Sequence, residues 1–265
     1  MRTPGGEARR RSAALGIVLA LATLAFPALA LGLPTVTVRG RAVPIPGFPH
    51  TGNFFGAGAA VHAEVTISGS EYGGFPPPLI GINVYLPAGV KIHSAGFKTC
   101  SEATLKNVGA KGCPKGAAAG PIGHARGVVA FGTERVQEEV TIASFFTMGG
   151  LLFYTEGHTP VQLEIVSGGQ LVHPGGAGGF GPEFTGAIPL VETVPGAPDA
   201  SVESIDITIG AAIRLHGRTV YYGTVPRSCP RGGFRAKAEF TFAQSGDPAM
   251  PETVTVPVTA PCPKR

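Results

Sequence analysis

Short runs in which every second residue is apolar recur along this chain, and most are bounded by glycine or proline. Val61, Ala63, Val65 and Ile67 alternate with His62, Glu64 and Thr66, and Ile80, Ile82, Val84 and Leu86 alternate with Gly81, Asn83 and Tyr85. The same period two is seen in Val161, Leu163 and Ile165, in Ile205, Ile207 and Ile209, in Ala238, Phe240 and Phe242, and in Val254, Val256 and Val258. Successive side chains of a strand point to opposite faces, so each run is a strand with one buried face and one wet face. The 40 Gly and 25 Pro among 265 residues punctuate the chain at short intervals, as turns do in a protein of many short strands. The expected fold is therefore all-β: an antiparallel β-sandwich, either one large unit or two closely packed ones, with one short helix.

That helix is expected over Cys100 to Val108, with Thr99 and Glu102 as a capping box and Gly109 as its terminator. One hairpin is expected and a second is possible by spacing. The expected one joins the last two apolar runs across Gln244–Pro251; the other would join Arg135–Phe146 to Leu151–Glu156 through Met148-Gly149-Gly150. Pro257 has no N–H for a ladder, which places the final strand at a sheet edge. The glycine-rich stretch Gly168–Gly181 has no periodicity and reads as a mobile loop. It carries no Lys-Ser/Thr element and opens no helix, so it does not read as a phosphate cradle.

Residues 1–30 read as a secretory signal. Arg9, Arg10 and Arg11 precede an apolar run from Ala13 to Phe26, too short for a comfortable membrane span, and Ala28-Leu29-Ala30 ends it with cleavage expected before Leu31. The remaining chain divides into an N-terminal β region, 31–132, and a C-terminal β region, 133–265, which can equally form a single domain. Four of the 21 basic residues and one of the 17 acidic residues leave with the signal, so the mature chain is close to neutral. It offers no field for a phosphate backbone, and nucleic acid is not an expected partner. No second long apolar stretch and no Cys at the cleavage site argue for a mature form without a membrane span or lipid, secreted or held at the cell surface by contacts.

Four cysteines in an exported chain imply two disulfides, for which three connectivities exist. The local one is expected. Cys100 with Cys113 closes the helix and its following turn, and Cys229 with Cys262 brackets the C-terminal hairpin. No C-x-x-C pair occurs and no His completes a ligand set, so neither a metal nor another cofactor is expected.

The segments Leu86-Pro87-Ala88-Gly89-Val90, Cys100-Ser101 with Leu105, Cys113-Pro114-Lys115-Gly116-Ala117, and Ile122-Gly123 with Ala125 resemble a recurrent pattern in exported proteins of high-GC Gram-positive bacteria. Val225-Pro226, Cys229-Pro230, Gly232-Gly233-Phe234, Phe240 with Phe242, and Pro261-Cys262-Pro263 resemble a second such pattern. The resemblance covers two blocks and implies export, paired cysteines and β structure. It implies no activity and supplies no functional residues.

Catalytic groups are sparse. The seven histidines are scattered singly, no G-x-S-x-G pentapeptide occurs, and the three aspartates, Asp199, Asp206 and Asp247, lie in Pro-rich turns or on a polar strand face. One constellation stands out: Glu138 or Glu139, Glu156 and His158 would meet if the hairpin through Met148-Gly149-Gly150 forms and if their side chains share a face. Consecutive residues of a strand point opposite ways, so one of Glu138 and Glu139 is expected to be solvated. A glycan shelf would need exposed aromatics, but there is no Trp, and Tyr221-Tyr222 must divide between two faces. The expected role is thus a non-catalytic cell-envelope or extracellular binding or structural module, with a cell-wall or extracellular glycan or a protein as partner. A secreted hydrolase of polysaccharides or esters, using Glu138, Glu156 and His158, is the alternative. A third class, binding of a small apolar ligand between the sheets, would require a dry cavity.

Overall fold

The computed structural model describes residues 32–48, 55–172 and 179–262; residues 1–30, read above as a signal, lie outside them. Fifteen strands form: β1 (Thr35–Val43), β2 (Ala60–Ser68), β3 (Leu79–Pro87), β4 (Lys91–Ile92), β5 (Gly123–Phe131), β6 (Glu134–Thr147), β7 (Gly150–Gly157), β8 (Leu163–Val172), β9 (Phe180–Ala187), β10 (Ser201–Ile209), β11 (Ala212–Leu215), β12 (Arg218–Tyr221), β13 (Gly223–Thr224), β14 (Phe234–Ala243) and β15 (Pro251–Ala260). Eleven of them make one antiparallel sheet in the order β1-β2-β10-β5-β6-β7-β8-β9-β3-β14-β15. The sheet curls until β1 and β15 lie side by side, where the place a Cβ of Gly40 would take is 3.7 Å from Val258 Cγ1. No ladder joins these two strands, so the sheet is nearly but not fully closed. The fold is all-β and antiparallel, as the alternation requires, and its two layers are continuous walls of one sheet.

The N- and C-terminal regions do not separate. Strand β10 inserts between β2 and β5, and β3 inserts between β9 and β14, so Gly32–Arg265 is one compact unit. The expected hairpin of β14 with β15 forms, and so does the conditional one of β6 with β7; β15 has a hydrogen-bonded neighbour on one side only, as Pro257 demands.

Two local expectations are corrected. The helix, α1 (Glu102–Val108), is capped by Ser101, whose Oγ accepts from the Thr104 N–H at 3.1 Å, rather than by Thr99 and Glu102. Glu102 instead reaches forward to Lys106 at 2.6 Å. Where it is described, the glycine-rich stretch is strand at both ends: Gly168–Val172 belongs to β8 and Phe180–Gly181 to β9, while 173–178 lie outside the described residues. Glycine is needed there because a Cβ on Gly169 would strike the backbone of Thr185 and Gly186 on β9.

Helix α1 lies on the outer face of β6 and β7, where Cys100, Leu105 and Ala117 bury Ala143, Phe145, Leu152 and Tyr154. The Cys100–Cys113 and Cys229–Cys262 disulfides are both present, in the expected local pairing. They mark a chain that matures in an oxidising compartment. By loop closure each contributes about 3 to 4 kcal/mol. Full reduction is therefore expected to lower the denaturant midpoint without abolishing the β signature in circular dichroism; an unchanged midpoint would refute the estimate.

Candidate functional site

Period-two strands in a curled sheet send one set of side chains inward, and here that set is aliphatic. Val38 (β1), Ala63 (β2), Val84 (β3), Val140 (β6), Ile165 (β8) and Ile207 (β10) all point inside. Two clusters fill parts of the interior. Val65, Ile67, Leu79, Ala238, Phe240 and Phe242 form one. Phe97, Ala119, Phe146, Leu151 and Tyr222 form the other, with Phe146 and Tyr222 ring centroids 4.2 Å apart and Phe97 set edge-on to both. Burial pushes the Tyr222 hydroxyl up to about 12.

Between the clusters the walls do not meet. A cavity of about 430 Å³ is bounded by Phe240 of one cluster and Tyr222 of the other, and all eleven strands contribute to its lining. Inward-facing Ile82, Val84, Ile205 and Ile207 are only half-buried, and Val61 is 43% exposed, because they face open space instead of one another. A hollow of this size is within the range of small-molecule sites.

Arg41, Arg126 and Lys237 border the hollow, but Arg41 is exposed, Arg126 pairs with Glu139 and Lys237 lies over Tyr85, so among the described residues Glu138 is the charged side chain that the strand register turns inward. Glu138 of β6 is 1% exposed. Its Oε2 accepts from the Val161 N–H at 3.1 Å, and its Oε1 is buried with no hydrogen-bond partner. Gly157 makes room for it: a Cβ there would be 2.6 Å from Oε1. Val161 itself precedes β8, which starts at Leu163, so its N–H is free of the ladder and available to the carboxylate.

The sheet separates the three candidates read from the sequence. In the β6–β7 register Val140 faces Gly157 and Thr141 faces Glu156, so Glu138 is inside while Glu156 is on the outer face. Glu156 does approach His158, Oε1 to Nε2 3.6 Å, in a solvated position. Glu139 is the solvated member of its pair and binds Arg126 at 2.6 Å. The burial of Glu138 was encoded in the alternation Val136, Glu138, Val140, Ile142, which puts the carboxylate at an apolar position.

Away from the apolar patch under α1, the outer face carries charged and polar side chains. His62 Nε2 lies 3.0 Å from Glu64 Oε1 and Nδ1 3.1 Å from Thr208 Oγ1. The hydrogen bond to His62 holds the Glu64 carboxyl below the usual range. Arg135 of β6, also outward, is roofed by the segment around Tyr72. Its guanidinium lies 5.0 Å and 4.6 Å from the Tyr72 and Phe75 ring centroids and donates to Tyr72 O at 2.7 Å and to Ser201 Oγ at 2.8 Å. Burial presses its pKa down from the ordinary arginine value. The tyrosines are engaged in packing: Tyr72 under Arg135, Tyr85 with Lys237 Nζ 3.7 Å above its ring, Tyr154 beneath α1, Tyr221 against Gly58 and Tyr222 in the aromatic cluster. Among the described residues no group of three His, Cys, Asp or Glu is placed to hold a metal ion, and no helix is long and apolar enough to cross a membrane.

Sheet and site together define a disulfide-clipped, nearly closed antiparallel β-container with an apolar hollow. No family model, curated protein or solved structure matches the chain.

Proposed function

We propose that this protein is an exported, non-catalytic binding module that holds a small apolar molecule inside its curled sheet. The observation that carries the reading is the cavity of about 430 Å³ with aliphatic walls. A packed interior has few voids larger than a water molecule, so a hollow drawn from eleven strands calls for an occupant. The polar outer row of Thr35, Thr37, Arg39 and Arg41, against inward Val36 and Val38, is the reverse of a lipid-facing barrel and suits a container in water. Export is supported by the two disulfides. The hydrolase alternative needs its carboxylates on one side of the sheet, and Glu138 and Glu156 are on opposite sides.

The test is a cavity-filling substitution. Ala63 faces the hollow, so Ala63→Phe buries new apolar area without displacing neighbours and should leave Tm unchanged or raised. In a filled core the same change would cost about 1–3 kcal/mol by overpacking. The wild-type protein should bind diphenylhexatriene saturably at one site, and Ala63→Phe should weaken this at least about tenfold, the equivalent of roughly 1.4 kcal/mol. Absence of saturable binding, or a lowered Tm in the variant, would refute the reading.

A further inference from the structure

We propose that Glu138 is the polar anchor of the cavity and that its ligand is an alkyl chain ending in a protonated amine. This rests on the binding reading above and adds the chemistry of the head group. An ionised carboxylate is an acceptor only, with about four lone-pair sites, and Glu138 has one filled, by Val161 N–H. Its Oε1 is buried and unpartnered. The inward residues around it are Ala125, Gly127 and Val129 of β5, Val140 of β6, Thr155 and Gly157 of β7, and Leu163 and Ile165 of β8, none of them basic. The nearby arginines face outward, Arg126 to Glu139 and Arg135 to Ser201.

A carboxylate left unpaired in an apolar wall is costly, and removing it in favour of an aliphatic residue would ordinarily stabilise a fold. An ammonium group supplies both the missing donor and the missing charge, and such charge-assisted bonds are about twice as strong as neutral ones. A chain behind the ammonium would lie along Val140, Leu163 and Ile165 and exchange water for apolar contact. Anionic amphiphiles are disfavoured by the same carboxylate. Oε1 rests in the notch left by Gly157, so presenting it to a head group takes a rotation of the terminal carboxylate, a torsion with a broad, low profile.

The experiment is calorimetric titration of the full chain with decylamine, decanol and decanoate, on wild type, Glu138→Gln and Glu138→Leu, with diphenylhexatriene binding measured in parallel. Wild type should prefer decylamine over decanol by about tenfold or more, with decanoate weakest, in line with the strength of a charge-assisted bond. Both variants should lose that preference, while saturable binding of diphenylhexatriene, which has no hydrogen-bonding group, persists. Glu138→Leu provides the answer should the glutamine variant fail to fold. Diphenylhexatriene binding without an amine preference, or a preference that persists in the variants, overturns the anchor and leaves the container intact. No binding of any probe overturns the container itself.

Discussion

Replacing Phe146 by alanine is expected to cost about 3–5 kcal/mol, at the upper end of large-to-small substitutions. Phe146 is 2% exposed and packs against Tyr222 and the edge-on ring of Phe97 near the end of β6. In a solid core, neighbours relax into part of the space a truncated ring leaves. Here the stack is one boundary of a hollow, so the lost ring merges with the existing cavity and its partners have little to collapse onto. The backbone anchors remain, since Phe146 N–H donates to Ala117 O and its carbonyl accepts from the Cys100 N–H. The variant should therefore keep its β spectrum while losing about 10 °C in Tm, given roughly 2–4 °C per kcal/mol for a chain of this size. A loss below about 1 kcal/mol would mean that the stack does not support the fold.

Arg135→Ala should cost about 2–3 kcal/mol, the worth of its bonds from a charged donor less the relief of desolvation. The guanidinium ties β6 to the Tyr72 carbonyl and to Ser201, which is 1% exposed and would keep an unpaired hydroxyl in the variant. It also loses two cation–π contacts, about 0.5–1 kcal/mol each where partly exposed. Arg135→Lys should recover less than half of the loss, because an ammonium cannot present the planar fork that reaches both acceptors. Equilibrium denaturation measures the loss, and limited proteolysis near Tyr72 reports release of the roof. Full rescue by lysine would show that charge alone matters.

Much of the fold was legible in the residues. The runs at Val61–Ile67, Ile80–Leu86 and Ile205–Ile209 became β2, β3 and β10 because alternation is a property of each strand by itself. The disulfide pairing was legible because both bridges close local loops, and the edge position of β15 because Pro257 lacks an N–H. The helix cap was misplaced by two residues: Ser101 and Thr99 are both competent caps, and only the extended backbone at Ser101 selects it. The glycines of 168–169 were read as loop because a strand with no side chains shows no period; their use is visible only once β9 crosses close by.

The sequence by itself determined which residues share a face, and hence that Glu138 and Glu139 must part, with Glu138 on the side of Val140 and Ile142. It could not determine which strands are neighbours, because period two is the same whatever lies alongside; the insertion of β10 between β2 and β5 and of β3 between β9 and β14 is set by long-range pairing. Nor could it determine that the inner faces stand apart. An inward Val or Ile looks alike whether it touches the opposite wall or open space, and that distance is fixed by the number of strands and their curvature. Eleven strands curled into one sheet made a hollow where two flat sheets would have made a core, and left the one carboxylate among its walls without a full set of partners.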